Sequence, residues 1–242
     1  MLRKSFLISL RTSKINGIQK SPHFRGATTL LQLGDYRILL AKKHHLISAR
    51  LILWVRSTII QNVITARKAY APNIIPDDEI DLGIPLAKLY RSFEDLSAIL
   101  LKIFALGLDV HEDYFLKLIK RHFSILSSHN YPPITEVPKE GQLRTGAHTD
   151  FGAITILAIK GSESGLEVLM PNKRWLGVKP PDGCLVVNLG DMMNRWTNGL
   201  WKSTLHRVTN PRSLNSINSQ RQTLGYFMHP DFDALIEVIP SC

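Results

Sequence analysis

The segment Gly146–Leu157, GAHTDFGAITIL, sets a histidine and a carboxylate two residues apart beside an apolar, strand-like run. Because side chains at i and i+2 of a strand point to the same face, His148 and Asp150 can face one object. A further histidine, His206, lies in the strand-like segment Ser203–Val208. Two histidines and one carboxylate on a rigid sheet bind a divalent metal and leave coordination positions open. The sequence therefore predicts a metal site, although zinc could bind the same three ligands.

A cation follows the distal histidine in a second strand-like segment, Gln220–His229. Strand alternation places Arg221, Thr223 and Gly225 on one face. An arginine that faces the interior of a barrel needs an anionic partner, because an unpaired buried charge is very costly. A fork-shaped guanidinium beside a hydroxyl suits the capture of a carboxylate. Arg221 and Thr223 are therefore candidates for binding a dicarboxylate.

These motifs resemble the isopenicillin N synthase-like branch of the Fe(II)/2-oxoglutarate-dependent dioxygenases. That family carries His-x-Asp, then a distal His usually followed by Arg-Val, and then Arg-x-Ser, where this chain has Arg-Gln-Thr. Further resemblances are Asn130–Pro133 upstream, Asn188–Asp191 in the middle and Thr197–Gly199 before the distal histidine. The order and spacing of the six motifs make the match specific.

The resemblance implies a double-stranded β-helix, or jelly roll, with Fe(II), 2-oxoglutarate and O2 as its cofactor and cosubstrates. The implied metal ligands are His148, Asp150 and His206. In the family, the arginine and serine of Arg-x-Ser hold the distal carboxylate of 2-oxoglutarate, which assigns Arg221 and Thr223 to cosubstrate binding. Tyr131 has a family counterpart near the cosubstrate, and it is either a carboxylate contact or a core tyrosine at a turn. The implied reaction oxidises a small organic molecule, chiefly by hydroxylation, and releases succinate and CO2.

Three alternatives stay open at this point. Isopenicillin N synthase itself and the ethylene-forming relatives use this triad without ordinary 2-oxoglutarate turnover. A non-enzymatic jelly-roll protein would keep the triad only for metal-dependent folding. A catalytically impaired protein would result if the unusual first 70 residues failed to cover one side of the barrel, leaving apolar surface exposed.

Charge is distributed unevenly along the chain. Residues 1–70 hold 13 Lys and Arg against one acid, whereas residues 71–242 hold 17 basic and 19 acidic side chains. No nucleic-acid-binding motif accompanies the basic part, so we expect a small-molecule substrate, no nucleic acid and no membrane. Two cysteines are too few for a disulfide scaffold and favour a reducing compartment. We expect a cytoplasmic monomer, with organelle targeting by the basic segment Met1–Arg11 as the alternative.

The chain divides at about residue 70. Residues 1–70 form an atypical basic segment, interpreted as a transit segment or a misassigned region. Residues 71–242 are predicted to hold helical support followed by the jelly-roll domain, whose core covers about 127–240. Apolar residues spaced three and four apart predict a helix from Pro85 to Gly107. A second, shorter helix is predicted from His111 to about Arg121.

Short β-rich runs separated by turn residues follow, which is typical of a sandwich or barrel. The candidate strands are Leu143–His148, Ala153–Ala158, Leu166–Leu169, Trp175–Lys179, Cys184–Leu189, Ser203–Val208, Gln220–His229 and a last piece near Ile236. The apolar segment Leu51–Ile64 is interpreted as a buried helix or strand, because it is too short to span a membrane and is broken by Arg56.

Several other residues have simple structural interpretations. Asn188, Gly190 and Asp191 are interpreted as a tight turn that leaves a buried strand. Arg207 should point away from the metal face because it follows His206 directly. The apolar residues near the site are interpreted as core or as pocket lining: Phe151, Met192, Met193 and Trp196. Three histidines without a partner at ligand spacing are interpreted as surface or core residues: His111, His122 and His129.

Overall fold

The computed structural model describes residues 8–11, 29–33, 36–40, 49–53, 83–134, 136–160, 165–211 and 220–242. The strands are β1 (Ile8–Arg11), β2 (Thr29–Leu33), β3 (Tyr36–Leu40), β4 (Ala49–Leu53), β5 (Ile125–Tyr131), β6 (Thr145–His148), β7 (Ile154–Lys160), β8 (Leu166–Leu169), β9 (Trp175–Gly177), β10 (Cys184–Leu189), β11 (His206–Val208) and β12 (Arg221–Met228). The helices are α1 (Gly83–Gly107), a 3-10 turn (Phe115–Leu118) and α2 (Asp191–Trp196).

Two antiparallel sheets form the body of the protein. The larger sheet has the strand order β1-β10-β7-β12-β5-β4, and the smaller has the order β6-β11-β8-β9. The four inner strands of the larger sheet and the four strands of the smaller one make the jelly-roll core. The predicted mainly β fold is therefore confirmed. Strands β2 and β3 pair separately with each other.

The larger sheet is covered on both faces, which explains the apolar strands near its middle. One face packs against the smaller sheet through a small cluster that includes Tyr131, Val168, Val186 and Val208. The opposite face packs against α1 in the main hydrophobic core. Each fully buried aliphatic or aromatic side chain in these layers contributes roughly 1.5–3 kcal/mol.

Helix α1 supports the larger sheet as the sequence predicts. Its stripe of apolar residues meets β12, where the Tyr226 ring lies edge-on to Tyr90 at 5.2 Å and stacks on Phe93 at 5.6 Å between ring centroids. The Tyr90 hydroxyl donates a 2.9 Å hydrogen bond to the carbonyl of Ser124, just before β5. These contacts fix the helix against β12 and the start of β5, the strands that carry Arg221, Thr223 and Tyr131.

The second predicted helix is wrong. Between His111 and Arg121 the chain forms only the 3-10 turn, and Phe115 is its one fully buried residue. A single buried anchor does not offset the cost of nucleating an α-helix. None of the helices in the described parts of the chain is long and apolar enough to cross a membrane.

One strand was not predicted and one predicted strand is wrong. Strand β5 is not among the candidates, because its sequence ILSSHNY mixes serines with apolar residues; it pairs with both β12 and β4. No strand occurs near Ile236 among described residues 232–242. This segment instead buries Ile239, whose N–H donates a 2.8 Å hydrogen bond to the Trp196 carbonyl at the end of α2.

The first 70 residues contribute strands to the larger sheet. Strand β1 pairs with β10 at one edge and β4 pairs with β5 at the other. Of the segments singled out above, Leu51–Ile64 overlaps β4 at residues 51–53 and Met1–Arg11 overlaps β1 at residues 8–11. Their other residues lie outside the described part of the chain.

Candidate metal centre and carboxylate site

The three predicted metal ligands meet at one end of the smaller sheet. His148 is the last residue of β6, His206 is the first residue of β11, and the two are direct cross-strand partners. Asp150 follows in the loop that leads to β7. One ligand atom from each residue lies within 4.8 Å of the other two. Asp150 Oδ1 is 3.9 Å from His148 Nε2 and 3.8 Å from His206 Nε2, so the three atoms surround a common point.

Both imidazoles are held with the same nitrogen towards that point. His148 Nδ1 lies 2.8 Å from the Gly146 carbonyl oxygen, and His206 Nδ1 lies 2.9 Å from the Thr204 carbonyl oxygen. A carbonyl oxygen only accepts, so each Nδ1 carries the proton and donates it. Each Nε2 then keeps a lone pair, which is the form that binds a metal.

The carboxylate of Asp150 has two unlike oxygens. Oδ1 faces the two histidines, whereas Oδ2 accepts hydrogen bonds from Thr155 Oγ1 and Asn188 Nδ2, each 2.7 Å long. Such donors stabilise an ionised carboxylate in a buried position. The turn interpretation of Asn188 is wrong, because this residue lies within β10 and is buried. A polar residue in the otherwise apolar strand CLVVNL was the signal available in the sequence.

This donor set fits a divalent transition metal. It offers two neutral imidazole nitrogens with free lone pairs and one carboxylate oxygen, the combination found in non-haem Fe(II) sites. The separations of 3.8 and 3.9 Å exceed hydrogen-bond length, so the ligand atoms do not bond to one another. His148 is half-buried and Asp150 and His206 are buried, which leaves the centre open on one side.

The second predicted group lies on the larger sheet, across the same cavity. Arg221 starts β12, is 2% exposed, and pairs across strands with Tyr131 of β5. Its guanidinium carbon lies 5.0 Å from the centre of the Tyr131 ring. Tyr131 Oη lies 3.2 Å from Thr145 Oγ1, so its hydroxyl bonds to β6.

Polar atoms of this group are buried without hydrogen-bond partners among the described residues. They are Arg221 Nε, Arg221 Nη1 and Thr223 Oγ1. Burial lowers the pKa of Arg221 to about 10, with Tyr131 acting in the opposite direction and Arg144 in the same one. The guanidinium is therefore still protonated at neutral pH. A buried cation with two unbonded donors calls for an anion.

One cavity connects the two groups. It has a volume of about 490 Å³, counting the space open to solvent, and is lined by the metal-site residues, Tyr131, Arg221 and Thr223. Its apolar walls are Leu157, Leu166, Val208 and Phe227. Gly225 also lines it, as the alternation along β12 predicts.

His129 has a place that sequence reasoning missed. It lines the cavity next to Tyr131, and its Nε2 lies 2.8 Å from Ser127 Oγ. His122 is buried against Glu94, with 2.8 Å between Nε2 and Oε1, and His111 is exposed. Because the sequence does not predict β5, its inward-facing residues could not be assigned to the cavity.

The remaining candidates do not line the cavity. Met193 and Trp196 are core residues, Met192 packs against the core, and Phe151 is 78% exposed. Arg207 points outward as expected, because its Nε donates a 2.8 Å hydrogen bond to Glu167 and its guanidinium lies 4.0 Å from the centre of the Trp175 ring.

Comparison with known proteins agrees with this geometry. The family model described as the 2OG-Fe(II) oxygenase superfamily matches residues 121–230. The 2-oxoglutarate-Fe(II) type oxidoreductase hxnY of Emericella nidulans is 34% identical over 173 residues, which is 71% of this chain and 48% of that protein. A homoarginine-6-hydroxylase of Oryza sativa is 31% identical over 180 residues, or 73% of this chain and 53% of that protein. The chain thus spans about half the length of these relatives.

A solved structure gives the same result for the fold. A full-length Neurospora crassa protein, crystallised in complex with alpha-KG, which is 2-oxoglutarate, superimposes with a TM-score of 0.70 at 29% identity. The match covers 81% of this chain and 58% of the Neurospora crassa chain. Enzymes of this superfamily use Fe(II), 2-oxoglutarate and O2. Residues 121–230 of this chain therefore carry a 2OG-Fe(II) oxygenase superfamily domain.

Proposed function

We propose that this chain is an Fe(II)- and 2-oxoglutarate-dependent dioxygenase of the isopenicillin N synthase-like branch that hydroxylates a small organic molecule. One observation carries the proposal: a single cavity holds both the His148, Asp150 and His206 donor set and the buried, unbonded donors of Arg221. In the reaction, substrate, O2 and 2-oxoglutarate become hydroxylated product, succinate and CO2. The two atoms of O2 end in the product and in succinate.

The three ligands give the metal a fixed and partly open site. His148 and His206 would bind through Nε2, since Nδ1 of each donates to a backbone carbonyl. Asp150 would bind through Oδ1. Bound Fe(II) supplies the redox chemistry that couples oxidative decarboxylation of 2-oxoglutarate to oxidation of the substrate.

Arg221 and Thr223 would bind the distal carboxylate of 2-oxoglutarate. Two guanidinium N–H groups and one hydroxyl supply donors for a carboxylate, and a planar guanidinium matches its geometry. The bound anion would also pair the buried charge of Arg221. Tyr131 would position this arginine, because the ring lies beside the guanidinium while its hydroxyl bonds to Thr145.

Apolar walls around the cavity would exclude bulk water from the reacting groups. Leu157 and Phe227 come from the larger sheet, and Leu166 and Val208 from the smaller one. In such surroundings the attraction between Arg221 and a carboxylate is stronger than in water. Water exclusion also limits side reactions.

An anaerobic titration tests the proposal. The Fe(II) protein is titrated with 2-oxoglutarate while the weak visible charge-transfer band of the Fe(II)–2-oxoglutarate chelate is recorded. We expect the band in the wild type, and in Arg221→Met only at much higher 2-oxoglutarate concentration. Iron binding without any band would favour an isopenicillin N synthase-like oxidase that does not use 2-oxoglutarate. A protein that binds no iron would overturn the proposal.

The same proposal includes the cellular compartment, the oligomeric state and the class of substrate. The two free cysteines agree with a reducing compartment such as the cytoplasm. The confinement of excess positive charge to the first 70 residues agrees with a small-molecule substrate rather than a nucleic acid. A monomer is part of the same proposal. Similar proteins also take small organic molecules: the Oryza sativa relative is a homoarginine-6-hydroxylase, and the Neurospora crassa protein was crystallised with thymine.

A further inference from the structure

The metal loop, residues 149–153, is held by the segment Asn188–Asp191. Four hydrogen bonds join them: Asn188 Nδ2 to Asp150 Oδ2 at 2.7 Å, Gly190 N to Ala153 O at 2.9 Å, Asp191 N to Asp150 O at 2.7 Å, and Thr149 Oγ1 to Asp191 Oδ2 at 3.1 Å. Both the side chain and the backbone of Asp150 are therefore fixed by this segment.

The donors to the Asp150 carboxylate come from the rigid larger sheet. Thr155 lies on β7 and Asn188 on β10, and the two are direct cross-strand partners. Thr155 is 1% exposed and Asn188 is 6% exposed, so bulk water does not compete with Asp150 for either donor. Two sheet residues at fixed spacing thus determine the orientation of a carboxylate that belongs to a loop.

Their two hydrogen bonds distinguish the oxygens of Asp150. A carboxylate oxygen offers about two acceptor positions, and both positions of Oδ2 are used by Thr155 and Asn188. Oδ1 faces the two histidines. We infer that Thr155 and Asn188 are positioning residues that keep Asp150 a one-oxygen ligand and so preserve an open coordination position on the metal. This inference rests on the proposed function.

A count of positions shows why this matters for the reaction. Three protein atoms leave about three of six octahedral positions free. A keto-acid that chelates through two oxygens takes two of these, which leaves one. If Asp150 Oδ2 also bound the metal, that last position would be filled. By holding Oδ2 away from the metal, Thr155 and Asn188 would keep this position free for O2.

Paired substitutions in the full-length chain test this role. Thr155→Val removes the hydroxyl at nearly constant shape, and Thr155→Ser keeps it as the matched control. Asn188→Leu removes the second donor at similar size. The first measurement is an anaerobic Fe(II) titration, in which we expect Thr155→Val and Asn188→Leu to bind iron about 10- to 100-fold more weakly than the wild type. Thr155→Ser should bind like the wild type.

The second measurement counts the open position directly. At saturating Fe(II) and 2-oxoglutarate without O2, nitric oxide is added as a probe, and the electron paramagnetic resonance signal of its iron adduct is integrated. We expect the wild type and Thr155→Ser to give the full signal, and Thr155→Val and Asn188→Leu to lose most of it. A purely structural role would lower thermal stability without changing the signal per bound iron.

The outcomes separate this inference from the proposed function. Wild-type affinity and signal in both donor-removed variants would overturn the inference alone. A wild type that binds neither Fe(II) nor 2-oxoglutarate would overturn the proposed function and this inference with it. If Asn188→Leu does not fold, as shown by circular dichroism without metal, the Thr155→Val and Thr155→Ser pair decides.

Discussion

The two ends of the cavity satisfy their polar atoms in different ways. At the metal end, the protein itself bonds the atoms that face away from the metal: Nδ1 of each histidine and Oδ2 of Asp150. At the carboxylate end, Arg221 Nε and Nη1 and Thr223 Oγ1 are buried without a bond among the described residues. The metal end is therefore preorganised by the fold, whereas under the proposed function the carboxylate end would be completed by bound 2-oxoglutarate.

The same difference in hydrogen bonding predicts how substitutions at each end should change the stability of the protein. Hydrogen bonds made within the protein stabilise the metal end whether or not a ligand is present. Leaving a buried donor unbonded costs about 1–3 kcal/mol, and more for a charged group. Substitutions at the metal end should therefore weaken iron binding without making the protein more stable. Removal of Arg221 at the carboxylate end should weaken 2-oxoglutarate binding and make the ligand-free protein more stable.

The largest expected effect is loss of iron from the metal end. Asp150→Ala or His206→Ala removes one of three ligands, and we expect iron affinity to fall by more than about 100-fold, beyond the loss seen for residues that only support ligands. Bound iron per protein after anaerobic loading measures this. Arg207→Gln is the control, because Arg207 lies beside His206 but contacts Glu167 and Trp175 on the outside. Full iron loading in Asp150→Ala would remove this residue from the ligand set.

Arg221→Met should have opposite effects on binding and stability. Loss of the cation should weaken 2-oxoglutarate binding by about 2–5 kcal/mol, as for other buried charge pairs. The ligand-free protein should become more stable, by roughly 1–4 kcal/mol, because an unpaired buried charge is replaced by an apolar chain.

Thermal unfolding with and without 2-oxoglutarate measures both effects of Arg221→Met. The wild type should gain stability from the ligand, and Arg221→Met should gain it only at a much higher 2-oxoglutarate concentration. A less stable ligand-free variant with unchanged ligand stabilisation would contradict the view that the ligand completes this end.

Gly190→Ala tests how tightly the metal end is packed. A Cβ at this position would lie 2.1 Å from the Gly152 carbonyl oxygen and 2.8 Å from that of Asp150, so the backbone must move. We expect destabilisation at or above the roughly 1–3 kcal/mol typical of overpacking, with weaker iron binding. Gly177→Ala is the control, since a Cβ there meets nothing within 4 Å, and it should stay within about 0.5 kcal/mol of the wild type. Denaturant unfolding without metal gives both values.

Thr223 should make a smaller contribution to the carboxylate end. Thr223→Val removes one donor to the bound carboxylate at constant shape, and a net hydrogen bond of about 0.5–1.5 kcal/mol corresponds to about a two- to tenfold loss of 2-oxoglutarate affinity. Thr223→Ser keeps the hydroxyl and should bind normally. Iron affinity should be the same in all three proteins. A stronger effect of Thr223→Val on iron than on 2-oxoglutarate would contradict the assignment.

The smallest expected effect is the response of Arg221 to pH. Burial lowers the pKa of this residue to about 10, so its contribution to 2-oxoglutarate binding should be constant from neutral pH to about pH 9 and fall above about pH 10. The stability of the ligand-free protein should change with pH in the opposite direction. The unfolded chain holds the proton more tightly, so the cost of burying Arg221 is fully present below its folded pKa and decreases above it. Calorimetric titration with 2-oxoglutarate across this range, compared with Arg221→Met, isolates the effect.

Sequence alone was sufficient where the pattern is local. The two-residue spacing of Arg221 and Thr223 predicts a shared face because side-chain alternation is a property of a single strand. The spacing of His148 and Asp150 identifies the right pair, but Asp150 lies in the loop after β6, so its contacts with Thr155 and Asn188 orient it rather than strand alternation. The three ligands do meet at one point and the arginine and threonine do line the cavity. The stripe of helix α1 was predictable for the same reason, since its period depends only on the helix itself.

Tertiary structure decided the contacts that depend on which strands are neighbours. Thr155 and Asn188 reach Asp150 only because β7 and β10 pair in one register, and a shift of one residue would turn both side chains to the opposite face. His129 lines the cavity because β5 pairs with β12. The serines of β5 are why its sequence does not predict a strand. The segment after His111 and the residues around Ile239 likewise take their conformations from the core that they cover. Side-chain alternation can therefore be predicted from the sequence of one strand. Which strands pair depends on residues far apart in the chain, and that pairing determines the surroundings of Asp150.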